Sequence, residues 1–278
     1  MTTPKPPNNL QRQHIAAETH ALTPYVIAAT TGASLLSHAH LHLLPRLSTS
    51  NASNASNTAA APRPRITITN QDSFTAARAI QQRTQGQARV GVLNMASEKR
   101  AGGGWLSGAL AQEEALCLRS TLAATLAARY YPLPVYGAVW SPGVVVFRGE
   151  VGTGCEFLRD EEKFVVGVVS LAALRRPVLT GDGRRFANVS DVFILKNKMR
   201  QVLRVLANKG ITHCVLGAMG CGAFRNPPYE VARIYKEVLE EDEWTGGFEE
   251  IVFAVLDTKG ESNYTIFKNV LLSLDSRR

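Results

Sequence analysis

From Arg65 onward the chain alternates short β-branched runs with longer helical periods, and this rhythm limits the architectures open to it. "ITIT" (66–69) and "VGVLNM" (90–95) read as strands around a helix near 73–85, and a helix over 112–130 follows with Leu116, Leu118, Leu122 and Leu126 as its apolar positions. "GAVWSPGVVVFRG" (137–149) predicts two short strands around Ser141-Pro142-Gly143. The unbroken apolar run "FVVGVVSLAAL" (164–174) predicts a strand covered on both faces. A helix over 190–208 places Val192, Leu195, Met199, Val202, Leu203 and Leu206 on one face and stops at Gly210. "THCVLGAMG" (212–220) is the next strand. The helix 227–241 has Asn226 as its expected cap and Pro227 at its first position, before a strand at 249–257 and a last helix near 262–274. Such alternation predicts an α/β domain with a mostly parallel or mixed sheet between helix layers.

The segment before Arg65 differs. Residues 9–30 read as a helix broken near Thr23-Pro24, and the Ser/Asn/Ala-rich stretch 48–64 reads as a flexible insert. The expected organisation is an N-terminal helical extension over 1–64 and a catalytic domain over 65–278. The start of the chain lacks the apolar core of a secretory signal, and no run of 18 or more apolar residues is present. The four cysteines, Cys117, Cys155, Cys214 and Cys221, form no CxxC pair, so reduced, buried thiols in an intracellular protein are expected. The net charge of +8 favours an anionic ligand without naming one.

Chemistry concentrates in "AGGGWLSGALAQEEALCLRSTL" (101–122). Gly102, Gly103 and Gly104 can bring backbone N–H groups close to a ligand, and Gly108 adds a second pliable point. After seven intervening residues, Gln112, Glu113 and Glu114 open a helix, where unpaired N–H groups and the dipole favour negative charge. Read singly, glutamates in a first turn are caps and glycine triplets are loops. Adjacent helical side chains diverge by about 100°, so an irregular turn is needed for both carboxylates to face one way. The dinucleotide spacing GxGxxG does not fit, which sets aside a nicotinamide-dependent oxidoreductase. "SHAHLH" (37–42) puts His38, His40 and His42 at alternating positions, read as solvent-facing loop histidines in preference to a metal site. The acidic runs "RDEEK" (159–163) and "EVLEEDEW" (237–244) read as a solvated turn and an exposed helix end.

"GGGWLSGALAQEE" together with "GAMGCGAFRNPP" (217–228) resembles the poly(ADP-ribose) glycohydrolase family, in its bacterial or microbial type with a fungal-like cast. "RQHIAAET" (12–19) resembles that family's N-terminal helix and "WSPGVVVFRG" its central segment. The resemblance implies a macrodomain-like three-layer α/β/α sandwich with a mixed central sheet. It implies hydrolysis of the ribose–ribose O-glycosidic bonds of poly(ADP-ribose) to ADP-ribose, by carboxylate acid/base catalysis without metal or cofactor. Glu114 would be the acid and then the base, with its pKa raised by partial burial or by the Glu113 charge. Glu113 would hold a ribose hydroxyl, Gln112 the loop, and Asn94 the distal ribose. Gly217, Gly220, Cys221, Gly222 and Ala223 would receive the diphosphate through main-chain N–H groups, Phe224 would pack on a ribose, and Asn226 would combine a site role with its cap. Where relatives carry an Ala-Pro-Asn segment, this chain has "SLAALRRP" (170–177). The implied partners are poly(ADP-ribose), ADP-ribose and ADP-ribosylated proteins, met by a monomer in the cytoplasm or nucleus. Two other readings stay open: a non-catalytic ADP-ribose-binding macrodomain, and a hydrolase of mono-ADP-ribosylated protein or nucleic acid.

Overall fold

The structure, a computed structural model, describes residues 5–47, 62–257, 260 and 262–273; most of the 48–64 insert lies outside them. Its centre is a seven-stranded mixed sheet. In chain order the strands are β1 (His38–His40), β2 (Arg65–Thr69), β3 (Val90–Met95), β4 (Ala138–Val146), β5 (Phe164–Leu171), β6 (His213–Leu216) and β7 (Glu250–Ala254), arranged β1-β4-β5-β3-β6-β7-β2. The five strands β5, β3, β6, β7 and β2 run parallel, while β4 is antiparallel to both β5 and β1. The helices are α1 (Asn9–Ala29), α2 (Ser73–Arg83), α3 (Gln112–Arg119), α4 (Leu122–Thr125), α5 (Val189–Asn208), α6 (Pro228–Leu239) and α7 (Asn263–Leu272).

The period-2 alternation of the strands divides the apolar residues between two cores. Val168, Val92, Val215 and Val252 lie across neighbouring strands on one face, beneath Ala16 of α1, Phe74 of α2, Leu116 of α3 and Leu122 of α4. Val169, Leu93, Leu216 and Phe253 point the other way, against Met199 of α5, Ile234 of α6 and Phe267 of α7. A sheet covered on both faces explains why β5 and β6 read as unbroken apolar runs. The result is the expected three-layer sandwich.

Several local expectations differ from the structure, each for an identifiable reason. α1 passes through Pro24 unbroken. The N–H lost at Pro24 would have met the carbonyl of His20, and both residues are exposed, so water can serve that carbonyl. The helix expected over 112–130 stops at Arg119, because Ser120 turns extended and bridges Val146 of β4 while Thr121 N donates to Val145 O at 3.0 Å. β4 is one strand rather than two: its register with β5 shifts between Ser141 and Val144, so Pro142 and Gly143 form a bulge where the missing N–H does no harm. His38 and His40 belong to edge strand β1 and not to a loop. The end of the 237–244 run is interior: Glu243 is buried against Arg204 (Nε–Oε1 2.7 Å), with Trp244 packed beside it.

Candidate active site

The cleft opens at the C-terminal ends of β3, β5 and β6, where parallel α/β sheets present loops and helix entrances. It measures about 140 Å³ and is lined by Met95, Ser97, Gln112, Glu113, Glu114, Ala173, Gly220, Gly222, Ala223 and Phe224, among others. A larger hollow of about 580 Å³ lies at the opposite end of β5, between Ala29–Thr31 and Phe164–Val165. Its titratable lining groups, Asp160 and Lys163, are paired with each other, so it lacks the converging acids that distinguish the smaller cleft.

Gln112 fixes the entrance of α3 to β3. Its Oε1 accepts from Met95 N (2.9 Å), and its Nε2 donates to Leu93 O (2.7 Å) and Ser73 Oγ (3.1 Å). The next residue, Glu113, is buried, with 3% of its surface exposed. Ser97 N donates to its Oε2 (2.7 Å) and Asn94 Nδ2 to its Oε1 (3.3 Å), while Asn94 Nδ2 also donates to Ser170 Oγ (3.0 Å). Burial raises the Glu113 pKa to about 7; the bonds from Ser97 and Asn94 oppose the rise, and the neighbouring Glu114 charge adds to it. Glu114 is part-exposed, and its two oxygens accept from Gly104 N (3.0 Å) and Ala111 N (2.9 Å).

Both carboxylates converge on Gly103. A Cβ there would run into Glu114 Oε1 and lie 3.0 Å from Glu113 Oε2, and its φ of +59° is left-handed. The expected divergence of adjacent side chains is overcome by their two methylenes, which swing both heads toward the same backbone. The glycine triplet therefore cradles the acids: the Gly102 N–H acts on the Glu113 carboxylate and helps hold its pKa down, Gly103 N donates to Arg100 O (3.2 Å) and Gly104 N donates to Glu114. Trp105, 5% exposed, plugs this loop into the core.

The second loop, 217–226, faces the acids across the cleft. Among the described residues, the main-chain N–H groups of Gly220, Gly222, Ala223 and Phe224 meet no protein acceptor, whereas Cys221 N already donates to Ala218 O (3.0 Å). Gly217 stands behind the lining, against Met95. Asn226 is not the cap of α6; that position is Pro227, with Pro228 first in the helix. Its buried amide instead turns into the loop, where Nδ2 donates to Leu174 O (2.6 Å) and Gly220 O (3.2 Å). The left-handed φ of +74° at Gly220 lets the loop close over Asn226, since a Cβ would sit 2.7 Å from that of Ala173.

The structure thus brings Asn94, Gly102–Gly104, Gln112–Glu114 and the 217–226 loop into one site. Asn94, the glycine triplet, Gly217, Cys221 and Asn226 support the cleft wall, while Gln112–Glu114, Ala218, Gly220 and Gly222–Phe224 line it. Sequence reasoning missed Ser97 and Ser170. Ser97 acts through its main-chain N–H, which no residue pattern reveals, and Ser170 reaches Asn94 only because β5 pairs with β3.

A family model described as the catalytic domain of microbial-type PARG matches residues 16–149. The chain is similar to the crystal structure of poly(ADP-ribose) glycohydrolase from Thermomonospora curvata, at 26% identity and a TM-score of 0.73, over 93% of this chain and 98% of that one. It is similar to that enzyme bound to the inhibitor ADP-HPD, with a TM-score of 0.72 and the same identity and coverage. Poly(ADP-ribose) glycohydrolase from Deinococcus radiodurans in complex with ADP-ribose is 32% identical, with a TM-score of 0.64, over 77% of this chain and 86% of that one. No curated protein matches significantly in sequence.

Proposed function

Since the chain belongs to the microbial-type poly(ADP-ribose) glycohydrolase family, we propose how its own residues carry that family's reaction, the hydrolysis of ribose–ribose O-glycosidic bonds of poly(ADP-ribose) with release of ADP-ribose. Glu114 donates a proton to the leaving ribose oxygen. The bond to the anomeric carbon breaks and an oxocarbenium-like sugar forms. The same carboxylate, now the base, takes a proton from water as the water oxygen adds to that carbon. A proton and a base are all this acetal cleavage requires, so the carboxylate pair supplies the chemistry without a cofactor.

Glu113, anchored by Ser97 N–H and Asn94, receives a hydroxyl of the reacting ribose and fixes the bond beside Glu114. Asn94 Oδ1, buried without a partner among the described residues, stands behind Glu113, so a distal ribose meets Asn94 through the carboxylate that its amide holds. The N–H groups of Gly220, Gly222, Ala223 and Phe224 take the diphosphate, with the Phe224 ring against the ribose. Gly102–Gly104, Gln112, Gly217, Cys221 and Asn226 hold these groups in place. The convergence of two carboxylates on Gly103, across a cleft from unengaged N–H groups, is the observation that carries this assignment.

Replacing Glu114 by Gln removes the transferable proton at nearly constant shape. Release of ADP-ribose from labelled polymer should fall about 10²–10⁴-fold while ADP-ribose binding, read by calorimetry, is kept. Turnover within a few-fold of the parent would remove Glu114 from the role. Acting on ADP-ribosylated proteins as a monomer within the cell, in cytoplasm or nucleus, completes the proposal; the buried, free thiols of Cys117, Cys155 and Cys214 suit a reducing compartment. No helix among the described residues is long and apolar enough to cross a membrane.

A further inference from the structure

The segment "RRPVLTGDGRRFA" (175–187) carries four arginines and one acid, and no role in the cleft accounts for it. It folds as a β-hairpin. Leu179 bridges Phe186, Thr180 N donates to Arg185 O (2.9 Å), and Ala187 N donates to Val178 O (2.9 Å). The acid, Asp182, is turned into the tip, where it accepts from Thr180 Oγ1 (2.6 Å) and Arg184 N (3.0 Å). It therefore shapes the turn, and although its charge acts on Arg184, no carboxylate forms an ion pair with Arg176, Arg184 or Arg185 among the described residues. All three of these arginines are exposed.

The base of the hairpin is tied to the cleft. Arg176 N donates to Phe224 O (2.8 Å), and the Arg175 guanidinium lies 5.4 Å from the centre of the Phe224 ring that lines it. Arg175 is engaged further by Glu98 at 3.4 Å, whereas Arg225 adds one more exposed cation beside the same loop. Three exposed guanidinium groups crowded on one short hairpin repel each other unless a polyanion neutralises them. A polymer that repeats a diphosphate in every unit is such a polyanion.

We propose that the 175–187 hairpin is a docking arm for the units of poly(ADP-ribose) adjoining the one held in the cleft, with Arg176, Arg184 and Arg185 meeting their diphosphates. The proposal rests on the glycohydrolase reading for the identity of the polymer. Attachment of the arm to Phe224 favours the substrate chain over a separate nucleic-acid partner, because a strand leaving the cleft on that side meets the base of the hairpin at Arg175 and Arg176.

The test is the triple variant R176S/R184S/R185S, which changes exposed side chains and leaves Asp182 and the turn intact. kcat/KM on long polymer at low salt should fall about tenfold or more, with a shallower dependence on salt. Turnover of a two-unit ADP-ribose oligomer and calorimetric affinity for ADP-ribose should stay unchanged. Unchanged turnover of long polymer, or an equal loss on the two-unit substrate, would overturn the arm. Should the parent protein fail to cleave polymer at all, the glycohydrolase reading fails by itself. Binding of labelled polymer and of a single-stranded oligonucleotide of matched charge then decides: a loss on polymer supports the arm, and a loss confined to the oligonucleotide overturns it.

Discussion

Glu113 is where burial and charge compete most directly. Its ordinary pKa of 4.5 rises to about 7 in the folded chain, so between these values the native state holds a proton that the unfolded chain has lost. Stability must therefore fall as pH rises through that window, and the cost is fully present above it. Replacing Glu113 by Gln removes the titration. The unfolding free energy of E113Q relative to the parent, read from urea titrations, should rise between pH 5 and pH 8 by an amount on the order of 2–3 kcal/mol. A difference that stays flat with pH would mean that the carboxyl does not titrate there. Gly103 is the complementary case: G103A, which forces a Cβ into the Glu114 carboxylate at a left-handed φ, should cost about 1–3 kcal/mol and reduce turnover far more than ADP-ribose binding. The sequence made the acids and glycines conspicuous, yet not that the triplet holds the acids. That relation depends on where N–H groups point once Trp105 is buried, which spacing alone does not encode.

At the scale of elements, the entrance of α3 is held by three hydrogen bonds from one side chain, those of Gln112 to Met95 N, Leu93 O and Ser73 Oγ. Q112A leaves part-buried backbone groups without partners and should cost about 2–3 kcal/mol in urea unfolding, with a matching loss of turnover as the acids shift. Pro24 is the reverse case. It sits within α1 on the exposed side, so P24A restores a helical N–H and should raise stability by roughly 1–3 kcal/mol without altering turnover. Most elements were legible because their periods are local properties of the chain. The break after Arg119 and the fusion of two expected strands into β4 were not: the first arises from Ser120 and Thr121 pairing with β4 some 25 residues away, the second from a bulge in the register of β4 with β5, and neither partner strand is visible in a local pattern.

Across the whole molecule, α1 is joined to the sheet and to the site by a chain of polar contacts. Arg148, at the exit of β4, is buried; its Nε donates to Thr19 Oγ1 (3.0 Å), its Nη1 donates to Cys155 O (3.1 Å), and it pairs with Glu18. Thr19 Oγ1 in turn donates to Leu118 O in α3 (2.9 Å). R148M should lower stability by about 2–4 kcal/mol, read from the urea midpoint with an unchanged m-value. Near the other end of α1, Arg12 Nε donates to Gly108 O (2.7 Å) and Asn9 Nδ2 to the same carbonyl (3.0 Å), against a glycine whose added Cβ would lie 2.7 Å from Asn9 Nδ2. An affinity tag or fusion partner attached ahead of Asn9 would consequently hang beside the loop that leads into the acids of α3. Cargo appended after α7, which packs on α6 and the far edge strand β2, would hang clear of it.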